Sequence, residues 1–64
     1  MRNMTIYMDN WENKETSKRV ILKNGGEITS GYQCGKYFCL EYRATDEAIA
    51  KIDETLRNMG LLTD

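Results

Sequence analysis

Cys34 and Cys39, in the stretch GYQCGKYFCLEY from Gly31 to Tyr42, have the widest chemical reach of any residues in this sequence. Two thiols can close a disulfide, hold a soft metal ion or supply a nucleophile, and each use makes its own demand on the rest of the chain. A disulfide needs the Cβ atoms about 3.5–4.5 Å apart. A structural zinc site needs four Cys or His ligands, and the sequence has two cysteines and no histidine. A thiol nucleophile needs a neighbouring base, and the commonest base near neutral pH is the missing histidine. Free thiols in a reducing compartment are therefore expected, with no metal.

The remaining chemistry thins out in the same way. Glu27 and Glu41 could form a carboxylate pair, but glycoside hydrolysis needs a cleft around such a pair, which a chain of 64 residues has little material to build. KNGGEITSG is rich in glycine, yet it lacks the Lys-Ser/Thr of a phosphate-binding loop. Asn24-Gly25 reads instead as a hairpin turn. Phe38, Leu40 and Tyr42 read as packing residues, so no cofactor and no enzymatic activity are expected.

Nine basic and ten acidic residues nearly cancel to a net charge of −1. That balance weighs against a basic nucleic-acid footprint, and Lys14, Lys18, Arg19 and Lys23 interrupt the one-sign field that a DNA mimic would need. Tyr37 with Arg19, Lys23 and Arg43 is a faint version of an aromatic and basic sheet surface, opposed by Glu27 and Glu41. No apolar run approaches the roughly 18 residues of a membrane span. MRNMTIYMDNW has no signal-peptide pattern, so a cytoplasmic location is expected.

Positioning these residues falls to a few short elements, expected to form one domain over residues 1–64. Met4, Ile6 and Met8 alternate with Thr5, Tyr7 and Asp9, the period of a half-buried strand. NWENKETS, residues 10–17, reads as a loop. KRVILKN reads as a second strand, EITSGYQC as a third and KYFCLEYRA as a fourth. In TDEAIAKIDETLRNMGLL, Ile49, Ile52, Leu56 and Met59 trace one stripe of an amphipathic helix. Thr45 or Asp46 can cap its start, Asp53 and Arg57 can pair four apart, and Gly60 can end it. The expected fold is α+β: four antiparallel strands in β-β-β-β-α order, with one C-terminal helix on one face.

Register then decides which side chains share a face. A two-residue turn at Gly35-Lys36 sets Gln33 against Phe38 and Gly31 against Leu40, mixing polar and apolar groups. A three-residue loop Cys34-Gly35-Lys36 sets Tyr32 against Phe38, Ser30 against Leu40 and Ile28 against Tyr42, giving one apolar face, with Glu27 opposite Arg43 on the other. The second is preferred. A three-residue loop at Asn24-Gly25-Gly26 extends it by pairing Leu22 with Ile28, Val20 with Ser30 and Lys23 with Glu27. Cys34 then takes core parity and Cys39 the outer face, so the thiols should not touch.

The outer face would carry Ile21, Tyr37 and Cys39 beside a notch at Gly31, with Glu41 and Arg43 as charged rim and Trp11 and Tyr7 extending the patch. An apolar patch rimmed by charge is a mark of a protein contact or of a homodimer interface. These features support a small non-enzymatic protein that occupies the surface of a protein partner. In size and class it resembles the inhibitors that phages and other mobile elements carry against host defence proteins. The alternatives are an oligomer that sequesters a small ligand or nucleotide, with Arg19, Lys23 or Arg43 holding the anion, and a weak sheet-face nucleic-acid module.

Overall fold

The structure, a computed structural model, describes residues 1–9 and 11–62; the side chain of Trp11 also lies outside what is described. The chain runs β1 (Arg2–Met8), a short 3-10 turn (Trp11–Asn13), α1 (Lys14–Lys23), β2 (Glu27–Cys34), β3 (Tyr37–Ala44) and α2 (Asp46–Asn58). Among the described residues the sheet has three strands in the order β1-β3-β2, not four, and both outer strands run antiparallel to β3. β1 and β2 are therefore parallel to each other, and the connection that carries α1 crosses from one edge of the sheet to the other.

The missing strand is α1. Val20, Ile21 and Leu22 look β-favouring, yet only Ile21 is fully buried, while Leu22 is 59% exposed. Ile21 and Ser17, four residues apart, form the inward stripe of a helix, and a serine in that stripe hides the period from a hydrophobicity count. Most of NWENKETS likewise belongs to the 3-10 turn and the first turns of α1 rather than to a loop.

Asn24-Gly25-Gly26 ends this helix instead of turning a hairpin. Gly25 takes φ +83°, its N–H donates to the Leu22 carbonyl at 3.1 Å, and the Gly26 N–H donates to the Ile21 carbonyl at 2.9 Å. This pair of bonds satisfies carbonyls that the helix terminus would otherwise leave unpaired. Gly26 packs against the helix so closely that a Cβ would stand 2.6 Å from Ile21 Cγ2. The proposed pairings of Leu22, Val20 and Lys23 with β2 accordingly do not exist.

α2 matches its sequence pattern except at Met59, the last residue of the expected apolar stripe, which follows the helix end and is 49% exposed. The Thr45 hydroxyl accepts from the Ala48 N–H at 3.2 Å, Arg57 Nε donates to Asp53 Oδ2 at 2.9 Å, and Gly60 closes the helix with φ +72°. Ile52 and Leu56 are fully buried, against Ile6, Leu40, Tyr42 and Ile21. Burial of each such side chain contributes roughly 1.5–3 kcal/mol. Every residue of this core that lies on a strand comes from one face of the sheet, the face that both helices cover.

The β2–β3 hairpin uses both of the competing registers. A two-residue turn at Gly35-Lys36, with Gly35 at φ +64°, pairs Cys34 with Tyr37, Gln33 with Phe38, Tyr32 with Cys39 and Gly31 with Leu40. At the other end Ile28 pairs with Tyr42 and Glu27 with Arg43, as the three-residue alternative requires. A β-bulge between Ile28 and Ser30 inserts one residue and joins the two phases. Tyr32 and Ser30 consequently leave the core side, where the three-residue loop would have put them.

Candidate interaction face

Alternation along β3 puts Phe38, Leu40, Tyr42 and Ala44 under the helices, and Tyr37, Cys39, Glu41 and Arg43 on the opposite, open face. Register extends this column into rows across the sheet. Tyr7, Cys39 and Tyr32 form one row; Thr5, Glu41 and Ser30 the next; Asn3, Arg43 and Glu27 the last. Cys34 and Tyr37 stand together at the hairpin tip. The residues that sequence patterning assigned to β3's outer side are thus brought together, and Tyr7 extends them.

Cys39 has no exposed surface although it sits on the open face. Its cross-strand neighbours are Tyr7 and Tyr32, which remain 50% and 43% exposed. The thiol is roofed by aromatic rings that themselves face solvent. Tyr32 Oη donates to Glu41 Oε1 at 3.3 Å, and Lys36 Nζ stands 5.4 Å from the centre of the Tyr37 ring. An exposed cation over a ring adds an attraction of about 0.5–1 kcal/mol.

The environment of Cys39 and Tyr32 favours their neutral forms. Burial pushes the Cys39 thiol up from its ordinary value, and the neighbouring Cys34 thiol helps to raise it further. The Glu41 carboxylate, followed by burial, raises the Tyr32 phenol. Near neutral pH Cys39 and Tyr32 are therefore neutral, and a protonated thiol is a poor nucleophile. Among the described residues, no group of three or more His, Cys, Asp or Glu side chains could hold a metal ion.

Several expected members of the face lie elsewhere. Ile21 belongs to α1 and is fully buried in the core on the other side of the sheet. Gly31 also faces the helix side, where a Cβ would meet Phe38 Cζ at 3.3 Å, so it makes no outer notch. Cys34 is on the open face beside Cys39, contrary to the expectation that the thiols stand apart. Trp11's proposed contact role lies outside the described side chains. Arg19 and Lys23 are exposed on α1, while Arg43 is on the open face of the sheet. These cations do not converge on one anion site. Lys23 lines a polar crevice with Lys51, but Glu47 shares it.

Sequence reasoning missed Tyr32 and Cys34 as members of the face. The two-residue turn was the available signal, because glycine at the first central position of a hairpin turn is a recognised pattern. Among the described residues, no helix is long and apolar enough to cross a membrane. Compared with models of protein families, with curated proteins and with solved structures, the chain matches none.

Proposed function

We propose that this protein is a non-enzymatic binding protein that occupies a protein partner's surface with its open sheet face. The observation that carries this reading is the pair Tyr7 and Tyr32, half exposed on either side of the buried Cys39 on the face that neither helix covers, and bordered by Glu41, Arg43 and Glu27. Tyrosines serve as interface anchors because they supply large contact area with few rotatable bonds. A charged rim around such a centre fixes register and partner choice. Glu27 and Glu41 would repel phosphate, so the same face suits a protein better than a nucleic acid.

The function class is inhibition by occlusion, as in the small inhibitors that mobile elements carry against host proteins. Free thiols at Cys34 and Cys39 suit a reducing, cytoplasmic setting. The test is quantitative capture from host lysate by the wild type and by a Tyr7→Ala/Tyr32→Ala double variant whose circular dichroism is unchanged. A protein retained by the wild type and lost by the variant supports the face. Equal retention overturns it, and a nuclease-sensitive capture that falls steeply with salt would instead mark phosphate contacts.

A further inference from the structure

The two edges of the sheet are not equivalent. β2's edge is broken by the bulge after Ile28, a device that bends a strand away from a flat partner. β1 pairs with β3 without interruption from Arg2 to Met8, and its one charged residue, Arg2, sits at its very start, so among the described residues the outer side from Asn3 to Met8 presents an unpaired row of amide and carbonyl groups. Alongside runs a groove of about 400 Å³ between β1 and α2, with Met4, Ile6, Tyr42, Ile49 and Leu62 in its lining.

We infer that a second copy of this chain occupies that edge, its β1 pairing antiparallel with β1 about Thr5 to make one continuous sheet across the pair. A two-fold axis through the sheet preserves its faces, so each residue must oppose one of its own parity. Centring on Thr5 meets that condition and sets Met4 against Ile6 of the second copy. Arg2 and Asp46 stand 3.3 Å apart at the starts of β1 and α2, and since α2 leaves the end of β3 and buries Ile52 and Leu56 in the core, it returns along the sheet in the direction of β1. With rises of about 3.3 Å per strand residue and 1.5 Å per helix residue, Thr5 stands level with the middle of α2.

Charge complementarity selects the second copy over a foreign strand. The groove-lining residues of α2 read acid at Asp46, apolar at Ile49 and Ala50, acid at Asp53 and base at Arg57. Rotation about Thr5 brings Asp46 of each copy level with Arg57 of the other, and Ala50 level with Asp53. Among the groove-lining residues no like charges then oppose, and at each open end the Arg2–Asp46 pair of one copy stands level with the Arg57–Asp53 pair of the other, extending two intrachain pairs into one alternating row. A chain of 64 residues also has much to gain, since a domain of this size buries only about 60% of its unfolded surface.

Self-pairing through β1 is independent of the open-face reading and is read first by mass. Native mass spectrometry of the wild type should show twice 7.4 kDa. Thr5→Lys and Thr5→Glu, each opposing itself across the axis, should each be monomeric, and an equimolar mixture should restore a heterodimer. A monomeric wild type, including one that pairs only with a foreign extended peptide, overturns the inference, as does a dimer that Thr5→Lys leaves intact. If the variants lose their circular dichroism, amide exchange in the wild type decides. Outward β1 amides protected at high concentration and released on dilution support self-pairing; concentration-independent exchange overturns it.

Discussion

Cys34 and Cys39 are diagonal neighbours on the open face: Cys34 pairs with Tyr37 and Cys39 with Tyr32, one row apart, close enough for the Cys34 thiol to help raise that of Cys39. One is exposed and the other buried, so the same functional group meets two environments a few ångströms apart. Iodoacetamide at pH 7.5 should therefore modify Cys34 first, with Cys39 slower by about tenfold or more because its thiolate is scarce and covered. Peptide mapping after timed quenching reads both rates. Equal rates in the folded protein would contradict the burial of Cys39.

Alkaline pH should destabilise the fold. The Cys39 thiol is raised above its ordinary 9.0 by burial first, and the Tyr42 phenol above its ordinary 10.0 by burial and then by the Asp53 carboxylate. For an acid whose folded pKa is raised, the unfolded chain loses its proton first as pH rises. The stabilisation is complete below the unfolded value and is lost on passing up through the folded one. The melting temperature should thus be flat through neutrality and fall from about pH 9 upward. A Tyr42→Phe variant, which cannot ionise there, should fall less steeply.

Gly26→Ala should be among the more costly small substitutions in the chain. The added methyl would stand 2.6 Å from Ile21 Cγ2 and 3.1 Å from the Ile21 carbonyl oxygen, whose hydrogen bond to the Gly26 N–H would have to lengthen. A loss of about 1–3 kcal/mol is expected from urea unfolding, as for overpacking elsewhere. Gly25→Ala meets no neighbour but must hold φ +83°, and should cost about 1 kcal/mol.

Thr45→Ala removes the hydroxyl that accepts from the Ala48 N–H, and should cost about 1 kcal/mol. Thr45→Asp should restore most of it, because the carboxylate both caps and faces the positive helix end. Urea denaturation of the pair, with unchanged m-value, checks both.

Much of this fold is legible in the residues. β1, β3 and α2 follow from alternation and from a clean helical stripe, and β2 has the bounds of EITSGYQC. α1 escaped because Val-Ile-Leu imitates a strand, and because Asn-Gly-Gly serves equally as a hairpin turn or as a left-handed helix cap. Local chemistry cannot separate the two; the deciding interaction is the packing of Gly26 on Ile21, visible only once the helix lies on the sheet. The open face was half legible for a related reason. Alternation along β3 assigned Tyr37, Cys39, Glu41 and Arg43 correctly, but β2 changes phase in mid-strand, so no single register could place both Glu27 and Tyr32.

The extra residue of that bulge makes the protein's exterior depend on counting as much as on composition. Deleting Thr29 would remove only the residue that changes phase: Ile28 opposite Tyr42 and Ser30 opposite Glu41 would become consecutive steps of a regular ladder, with Ile28 still toward the helices and Tyr32 and Cys34 still outward. The same deletion in β3, for example at Glu41, has no spare residue to absorb it and would exchange inside for outside along half of that strand. The bulge thus makes β2 the strand whose length can change by one without turning the surface over.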